Sequence, residues 1–420
     1  MTLNPNIIGY RCVSCGQECP PEPFRYTCAE CKNNLEVVYD YASIGSDWSR
    51  DDLTANRDRS LWRYLPLLPV SAAPDNHTIS AGGTPLVTVT QLAERYDLAA
   101  LHIKDDSRNP SGSLKDRATE IALRHAHELG QQVLVAASTG NAASSLAALA
   151  AFYGKQAVIL APAAAPPAKL TQIMQYGATL CLIDGTYDEA FDLSVTAAEA
   201  HGWYCRSTGI NPVLSEGKKT AALEIAEQLN WQVPDQVFVP VGDGSIISGV
   251  CKGFYDLHQL GWITSMPRVV AVQARGSAAI VNALAGDGAI IPVKADTIAD
   301  SISVSLPRDG LKAVRAVRAS GGYGIRVSDE DILRSQKQLS QDTGIFAEPA
   351  AAAAFAGLLQ ALNQGQVRHG ESVVALITGS GLKDIPAAQQ NLVFPAPIKP
   401  DPAAFNAFIE TASQSGTLSL

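Results

Sequence analysis

Long apolar runs are missing from this sequence of 420 residues. No stretch reaches the ~18 uninterrupted apolar residues that a membrane-spanning helix requires, so we expect no membrane partner. The segment from Met1 to Tyr10 lacks a basic start followed by an apolar stretch, so no secretory signal is predicted. The expected compartment is therefore the cytoplasm.

Positive charge is also scarce. The formal net charge is −9 and no run of lysine and arginine offsets it, which argues against nucleic acid as a partner. Charged residues make up only 17% of the chain and hydrophobic residues 46%, so disorder is not expected. No repeat period of ~20–50 residues is visible, which excludes solenoids and propellers. The length is sufficient for two domains and a small module, at ~100–200 residues per domain.

Apolar segments of strand length alternate with helical segments, which predicts an α/β protein with doubly wound sheets. LHIKD, QAVILAP, ATLCLID, RVVAVQA and SVVALIT are predicted to be strands, and most of them are too continuously apolar for a sheet with one face in water. Glu348 and Pro349 precede five alanines and predict the start of a helix that packs closely on a sheet.

Lys115 lies in NPSGSLKDRA, residues 109–118, the most informative segment of the chain. Residues 109–112 predict a turn, Ser113 is the predicted N-cap, and ATEIALRHAHEL predicts a helix. Lys115 then falls in the first helical turn, where the positive end of the helix dipole disfavours its ammonium form. A lysine that loses its proton easily is suited to Schiff-base formation, although most lysines at helix starts are simply solvated.

Two glycine-rich turns follow predicted strands. In ASTGN, residues 137–141, the hydroxyls of Ser138 and Thr139 and the carboxamide of Asn141 meet at a helix N-terminus, a position that favours a carboxylate. In VGDGSIISG, residues 241–249, glycines allow the backbone to approach a phosphate, and a helix is predicted from about Val250. The glycine spacing does not match a dinucleotide fingerprint, and valine stands where a P-loop requires lysine.

Together with ITGSGLKD, residues 377–384, these motifs resemble those of the fold-type-II pyridoxal-phosphate enzymes, and among them the threonine synthases, over roughly residues 80–395. The resemblance implies two α/β domains with pyridoxal 5′-phosphate between them. It implies that Lys115 carries the cofactor, that Asn141 hydrogen-bonds its 3′ oxygen, and that Thr378, or alternatively Ser380, faces its pyridine nitrogen. It further implies a phosphate loop formed by Gly242, Asp243, Gly244, Ser245 and Ile246, and a substrate carboxylate held by Ser138, Thr139 and Asn141.

The same resemblance implies a small amino-acid substrate, O-phosphohomoserine, which is converted with water to L-threonine and phosphate by a homodimer. Two positions depart from the family pattern. Ala142 stands where threonine is usual, and residues 211–217 lack the arginine that helps to hold the substrate phosphate. We expect Arg308 to supply the missing cation, with Lys218 or Lys219 as alternatives.

Two other functions remain open at this stage. One is β-elimination or β-replacement on a serine- or threonine-like amino acid, as in a dehydratase or a cysteate-synthase-type enzyme. The other is a zinc-ribbon interaction protein built on an inactive α/β scaffold. An intact Lys115, Asn141 and phosphate loop argue against the second.

Eight cysteines form two groups. Two Cys-x-x-Cys pairs near the N-terminus have the spacing of a tetrahedral zinc site, and so short a segment needs such a site to fold. Disulfides are the alternative, but the absence of a secretory signal argues against them. Threonine synthases often carry a similar ribbon. The predicted metal ligands are Cys12, Cys15, Cys28 and Cys31; Cys19 is predicted to be free, and Cys181, Cys205 and Cys251 to be buried.

These patterns predict four segments. A zinc-ribbon-like module spans residues 1–40, and an N-terminal α/β domain with Lys115 spans 41–205. A C-terminal α/β domain with the phosphate loop spans 206–395, and a tail spans 396–420.

Overall fold

A computed structural model describes residues 4–75, 78–165 and 167–414. Within these ranges the strands form sheets of three, six and four strands. The strands are β1 Ile7–Cys12, β2 Glu18–Cys19, β3 Leu35–Tyr39, β4 Leu86–Thr88, β5 Ala100–Asp105, β6 Val133–Ala137, β7 Gln156–Pro162, β8 Thr179–Ile183, β9 Tyr204–Cys205, β10 Gln236–Pro240, β11 Arg268–Ala274, β12 Gly324–Val327 and β13 Ser372–Ile377.

Helices connect the strands and cover the larger sheets. No helix in the described ranges combines the length and the apolar character needed to cross a bilayer. The helices are α1 Tyr41–Asp47, α2 Arg50–Ala55, α3 Thr90–Arg95, α4 Lys115–Glu128, α5 Asn141–Phe152, α6 Pro167–Gln175, α7 Tyr187–His201, α8 Val213–Lys218, α9 Thr220–Gln228, α10 Ser245–Gln259, α11 Ala279–Ala285, α12 Gly310–Ala319, α13 Asp329–Thr343, α14 Pro349–Asn363, α15 Ile385–Gln389 and α16 Pro402–Gln414.

The six-stranded sheet has the order β12-β11-β10-β13-β5-β4, parallel except for β4. Val237 and Val239 of β10 pack with Phe254 of α10 in one core, whereas Phe238 packs with Phe355 of α14 in another. Successive side chains of a strand point to opposite faces, so a strand that is apolar throughout needs helices on both sides. The predicted doubly wound architecture is confirmed.

The four-stranded sheet, β8-β7-β6-β9, is wholly parallel. Leu134 of β6 packs with Leu146 of α5, and Val135 packs with Phe191 of α7 on the opposite face. This sheet is therefore also covered on both sides.

The alanine run lies at the start of α14, and all five alanines are buried. A Cβ atom added at Gly357 of this helix would lie 2.4 Å from a methyl carbon of Val272 in β11, so helix and strand are in direct contact. The prediction of close packing is confirmed.

The three-stranded sheet, β2-β1-β3, forms the N-terminal module. Tyr10, Val37 and Tyr39 belong to the same core cluster as α10, and the Tyr39 hydroxyl donates to a carboxylate oxygen of Glu216 at 2.9 Å. The module thus packs against α8 and shares the core in which α10 meets the six-stranded sheet.

The predicted division after residue 205 falls at the end of β9, where the chain leaves the four-stranded sheet. Residues 41–205 nevertheless supply strands to both sheets, because β4 and β5 lie in the six-stranded one, where β5 pairs with β13. The large sheet is therefore built from both sides of that boundary.

Three local predictions are wrong. Ser113 is not the N-cap of α4: it forms a bridge with Gly379 instead, and Leu114 occupies the cap position. Helix α10 begins at Ser245 rather than near Val250, because Gly244 adopts a left-handed conformation, with φ of 97°, that turns the chain directly into the helix. Cys181 is exposed, because β8 is the outer strand of its sheet.

Candidate active site

A cavity of about 490 Å³ lies where the carboxyl ends of β6, β10 and β13 meet the start of α4. Open parallel sheets bind ligands at this edge, where loops from different strands converge. The cavity wall contains Lys115, the turn 138–142, the loop 240–247 and Thr378. Residues from four separate motifs, distant in the sequence, therefore meet at one site.

A second cavity, of about 510 Å³, is lined by Arg275, Arg326 and Gln360 among others. It contains none of the predicted site residues.

Lys115 is placed by the residues around it. The backbone N–H of Leu114 donates to the carbonyl of Thr378 at 2.9 Å, which ties the start of α4 to the end of β13. Buried Asp116 accepts hydrogen bonds from the backbone N–H of Ser111 at 2.6 Å and from its hydroxyl at 2.5 Å. The turn and the helix start are thereby fixed to each other.

Arg117 anchors the same helix on its other side. Its guanidinium is fully buried and pairs with Asp106 and Glu224, each at 2.6 Å. Lys104 also pairs with Glu224 at 2.7 Å, so that this carboxylate is held between two cations. Breaking such a buried network is costly, because it would leave an uncompensated buried charge. The network therefore holds the start of the helix in place.

The Lys115 side chain reaches the cavity, and burial lowers its pKa to about 8. The carboxylate of Glu348 opposes this shift and the guanidinium of Arg206 adds to it. Desolvation is the main cause of this shift.

Asn141 begins helix α5 at the end of β6, and the N-terminus of this helix opens onto the cavity with Ser138 and Thr139. The Asn141 amide donates to a carboxylate oxygen of Glu348 at 2.7 Å. Burial raises the pKa of Glu348. The turn thus offers backbone N–H groups, hydroxyls and an amide to an anion.

Glu348 is a cavity residue that the sequence interpretation missed, since it was seen only as part of a helix start. A signal did exist. Glutamate stands at an N-cap, where Ser, Thr, Asp or Asn are preferred, and its side chain makes no capping bond. The side chain turns into the cavity instead.

The loop 242–246 is packed closely against neighbouring backbone and lines the cavity. A Cβ atom at Gly242 would lie 2.9 Å from the backbone of Ile302, so only glycine allows this approach. Ser245 and Ile246 open the 15-residue helix α10, whose N-terminus favours an anion. Fully buried Lys218 lines the same cavity and donates to the Ser245 hydroxyl.

Asp243 lies in this loop, and its carboxyl group accepts hydrogen bonds. Burial and the nearby carboxylate of Asp309 raise its pKa to about 6. One of its oxygens accepts the backbone N–H of Arg308 at 2.6 Å. The loop is thereby joined to the segment that carries Arg308.

Thr378 lines the cavity just beyond β13, whereas the Ser380 side chain caps a short helical turn by accepting the backbone N–H of Leu382. Of the two hydroxyls considered for the pyridine nitrogen, that of Thr378 is the one in the cavity wall.

Arg308 also lines the cavity, but its guanidinium is engaged at the rim. It lies 3.2 Å from Asp188 and 3.7 Å from Asp192, and it stacks over Phe191 at 5.0 Å. Lys219 is paired with Glu216 and Asp256 at 2.5 and 2.6 Å, away from the cavity wall.

Arg206 is a buried cation that the sequence interpretation did not single out. It follows β9, is fully buried, and bonds the hydroxyls of Thr119 and Thr208; Thr208 lines the cavity. Burial lowers its pKa to about 10, and the carboxyl of Asp116 opposes this shift. The positive charge of Arg206 contributes to the lowered pKa of Lys115 in the cavity.

The four predicted zinc ligands converge into one four-cysteine cluster, with all their sulfur atoms within 4.8 Å of one another. The Sγ atoms of Cys12 and Cys31 are 3.4 Å apart, and those of Cys15 and Cys28 are 3.7 Å apart. A disulfide needs about 2.05 Å, whereas thiolates around a tetrahedral zinc with bonds of about 2.3 Å lie about 3.8 Å apart. The geometry fits a metal and excludes disulfides among these four.

The chain is similar to known proteins of one enzyme family over most of its length. The sequence pattern of the family described as pyridoxal-phosphate dependent enzyme matches residues 78–379. The chain is 41% identical to a threonine synthase of Methanocaldococcus jannaschii, over 90% of this chain and 93% of the relative. It is 37% identical to a threonine synthase of Mycobacterium tuberculosis, over 81% of this chain and 93% of the relative.

Solved structures share the fold. A threonine deaminase isoform from Solanum lycopersicum matches with a TM-score of 0.63 and 23% identity, covering 74% of this chain and 88% of its own. Maize serine racemase matches with a TM-score of 0.61 and 21% identity, covering 78% and 93%.

Proposed function

Because the chain belongs to the family of pyridoxal-phosphate dependent enzymes, we propose that it is a lyase of the threonine synthase type, which converts O-phosphohomoserine and water to L-threonine and phosphate. The observation that carries this proposal is the convergence of Lys115, Asn141, the loop 242–246 and Thr378 on one cavity. The similarity to the threonine synthase of M. jannaschii extends over 383 residues, more than the family domain at 78–379 contains.

The cavity fits pyridoxal 5′-phosphate. Lys115 would hold the carbonyl carbon, the cradle 242–246 the phosphate, Asn141 the 3′ oxygen and Thr378 the pyridine nitrogen. The cradle supports this fit, because a Cβ atom at Gly244 would lie 2.9 Å from the carbonyl oxygen of Asp309. The cofactor, when bound, supplies an electron sink that acidifies the substrate α-proton.

Lys115 is the group placed to move that proton. With a pKa of about 8, its amine is neutral in a useful fraction near neutral pH, and a neutral amine can act as a base. The substrate carboxylate would rest on the N-terminus of α5 at Ser138 and Thr139. This arrangement would orient the α-proton toward the Lys115 nitrogen.

The substrate phosphate needs a cation, because a desolvated dianion is costly when unpaired. We propose Arg308 for this contact and Lys218 as second candidate, since both line the cavity. Arg206 adds a positive charge that contributes to the lowered pKa of Lys115. Near the position where the family's arginine is missing, the Lys312 ammonium lies 3.1 Å from the Ser215 hydroxyl and so brings a further cation to this region.

A second candidate function is β-elimination or β-replacement on a serine- or threonine-like amino acid. Ala142 favours it, because it places a methyl group in the cavity wall where the threonine synthase pattern has a hydroxyl. A substrate without a phosphate would also leave Arg308 with Asp188 and Asp192.

Product analysis separates the two functions. Purified enzyme is incubated in turn with O-phosphohomoserine, O-phosphoserine, threonine and serine, with Lys115→Ala as the inactive control. We expect inorganic phosphate and threonine from O-phosphohomoserine alone. Release of ammonia and a 2-oxo acid from serine or threonine, without phosphate release from O-phosphohomoserine, would replace the first function by the second.

We further propose that the four-cysteine cluster binds one structural zinc, that the enzyme is cytoplasmic and that it is a homodimer. The sulfur geometry supports the metal. Exposed apolar side chains near the C-terminus, including Val393 and Phe394, support a subunit contact, which light scattering on the purified protein would test.

A further inference from the structure

We propose that the N-terminal module, which carries the four-cysteine cluster, positions the phosphate loop of the active site, and that Asn34 is the positioning residue through which it acts. The proposal rests on the proposed binding of pyridoxal 5′-phosphate at Lys115. It concerns a set of contacts between the first 40 residues and the segment 308–315, which lies beside the phosphate loop.

Asn34 follows the second Cys-x-x-Cys pair by three residues. Its side-chain amide donates to the carbonyl oxygen of Arg308 at 2.8 Å and to a carboxylate oxygen of Asp309 at 2.6 Å. One amide thus holds both the backbone and a side chain of a segment 274 residues away.

That segment is bonded directly to the phosphate loop. The backbone N–H of Arg308 donates to the Asp243 carboxylate at 2.6 Å, and the N–H of Asp309 donates to the Asp243 carbonyl at 3.1 Å. The Asp309 carbonyl lies so close to Gly244 that a Cβ atom there would be at 2.9 Å. A displacement of Asp309 must therefore displace the cradle that would hold the cofactor phosphate.

The first Cys-x-x-Cys pair makes a matching contact. Arg315, in α12, donates to the backbone carbonyls of Val13 and Ser14, which lie between Cys12 and Cys15. Each cysteine pair is therefore attached to one end of the segment 308–315. Because the four sulfur atoms fix the separation of the two pairs, they also fix the separation of these two attachments.

The module also touches the opposite wall of the cavity. The Tyr26 hydroxyl accepts the backbone N–H of Cys205 at 3.1 Å, and its ring packs edge-on against Tyr204 at 6.2 Å. Both partners belong to β9, and Thr208, three residues later, lines the cavity. The module therefore bridges both sheets beside the site.

The charge pattern gives Asn34 a role beyond packing. Asp309 and Asp243 are neighbouring carboxyls beside a loop that must accept a phosphate. The Asn34 amide donates a hydrogen bond to the Asp309 carboxylate and so restrains its position. Without this donor, Asp309 is freer to approach the phosphate, and like charges close together repel.

The test compares two ligands that differ only in the phosphate. Full-length protein is loaded with pyridoxal 5′-phosphate or with pyridoxal, and the release rate of each is followed by its visible absorbance. For Asn34→Ala we expect release of pyridoxal 5′-phosphate to accelerate about three- to tenfold, as for the loss of a net hydrogen bond. Release of pyridoxal should change less than about twofold, since it does not use the cradle. Hydrogen exchange in peptides covering 241–249 and 303–309 should accelerate in the same variant.

Asn6→Ala is the matched control, because Asn6 also ties the N-terminal segment to the body, through a bond of 3.1 Å from its amide to the carbonyl of Pro66. It should leave both release rates unchanged. Arg315→Met cuts the attachment from the α12 side and should reproduce the selective effect even if Asn34→Ala folds poorly.

Equal acceleration for both ligands, or none for either, in Asn34→Ala and Arg315→Met would overturn the positioning role while leaving the proposed function intact. Failure of the wild-type protein to retain pyridoxal 5′-phosphate would overturn the proposed function, and this inference with it.

Discussion

The amide of Asn141 donates to the carboxylate of Glu348 at 2.7 Å, although the two residues are 207 positions apart. Asn141 begins α5 beside the four-stranded sheet, and Glu348 stands at the N-cap position of α14 beside the six-stranded sheet. The bond therefore links elements of the two sheets at the cavity wall. The bond also holds the Glu348 carboxylate near Lys115. This carboxylate raises the pKa of Lys115 and so opposes the effect of burial.

Glu348→Gln should lower the pKa of Lys115 below about 8, because the anion that favours its ammonium form is removed while a carbonyl can still accept from Asn141. The reactive, neutral fraction of the amine should then rise at lower pH than in the wild type. The measurement is the pH dependence of the rate at which cofactor-free protein reacts with pyridoxal 5′-phosphate. Asp188→Asn, at the exposed rim, is the control and should shift the midpoint much less, because solvent screens its charge.

Lys115 should be the residue that carries the cofactor. Borohydride reduction of the holoenzyme followed by peptide mapping should find the phosphopyridoxyl group on Lys115, and Lys115→Ala should bind no cofactor covalently. Lys218 is the strongest alternative carrier of the cofactor, because it lines the same cavity and burial also lowers its pKa. A label on Lys218 or Lys169 would contradict the assignment.

Cys28→Ser should remove the metal. Metal analysis should find about one zinc per wild-type chain and far less in the variant, since a tetrahedral site needs all four thiolates. The midpoint of thermal unfolding should fall, because metal binding contributes to folding. At saturating cofactor the visible absorbance should persist, since none of the four sulfur atoms lines the cavity. Cys19→Ser is the control, because Cys19 lies in the same module but outside the cluster. The metal content of this variant should stay at the wild-type level.

Arg308→Ala should depress kcat/KM for O-phosphohomoserine roughly ten- to a hundredfold, as expected for a lost charge-assisted contact. Cofactor absorbance should be unchanged. Arg318→Ala is matched in chemistry but bonds only backbone carbonyls, such as that of Gly286, and should have little effect. If Arg308→Ala keeps wild-type kcat/KM, the same assay on Lys218→Ala decides whether the second candidate holds the phosphate.

The sequence is sufficient for the fold class and for those residues of the cavity wall that belong to short motifs. Lys115 and the two glycine-rich turns were visible because a strand, a turn and a helix start each leave a local signal. The cysteine cluster was visible because its spacing is itself the signal.

Contacts between distant segments could not be predicted. Glu348 and Arg206 reach the site only because the two sheets face each other, and no local pattern encodes that arrangement. Ser113 was misjudged for the same reason, since its bridge to Gly379 outweighs its capping preference. The exposure of Cys181 depends on β8 being an edge strand, which the order of strands in the sheet decides.

The packing of the N-terminal module against residues far along the chain has a consequence during synthesis. Asn34 bonds Arg308, 274 residues later, and Tyr39 bonds Glu216, 177 residues later. At about 5–20 residues per second, the module leaves the ribosome roughly 10–55 s before these partners exist. During that interval Tyr10, Val37 and Tyr39 lack the residues of α10 that complete their core. The nascent chain therefore presents an apolar surface that chaperones can recognise. Early metal capture by the four cysteines would order this surface before its permanent partners arrive.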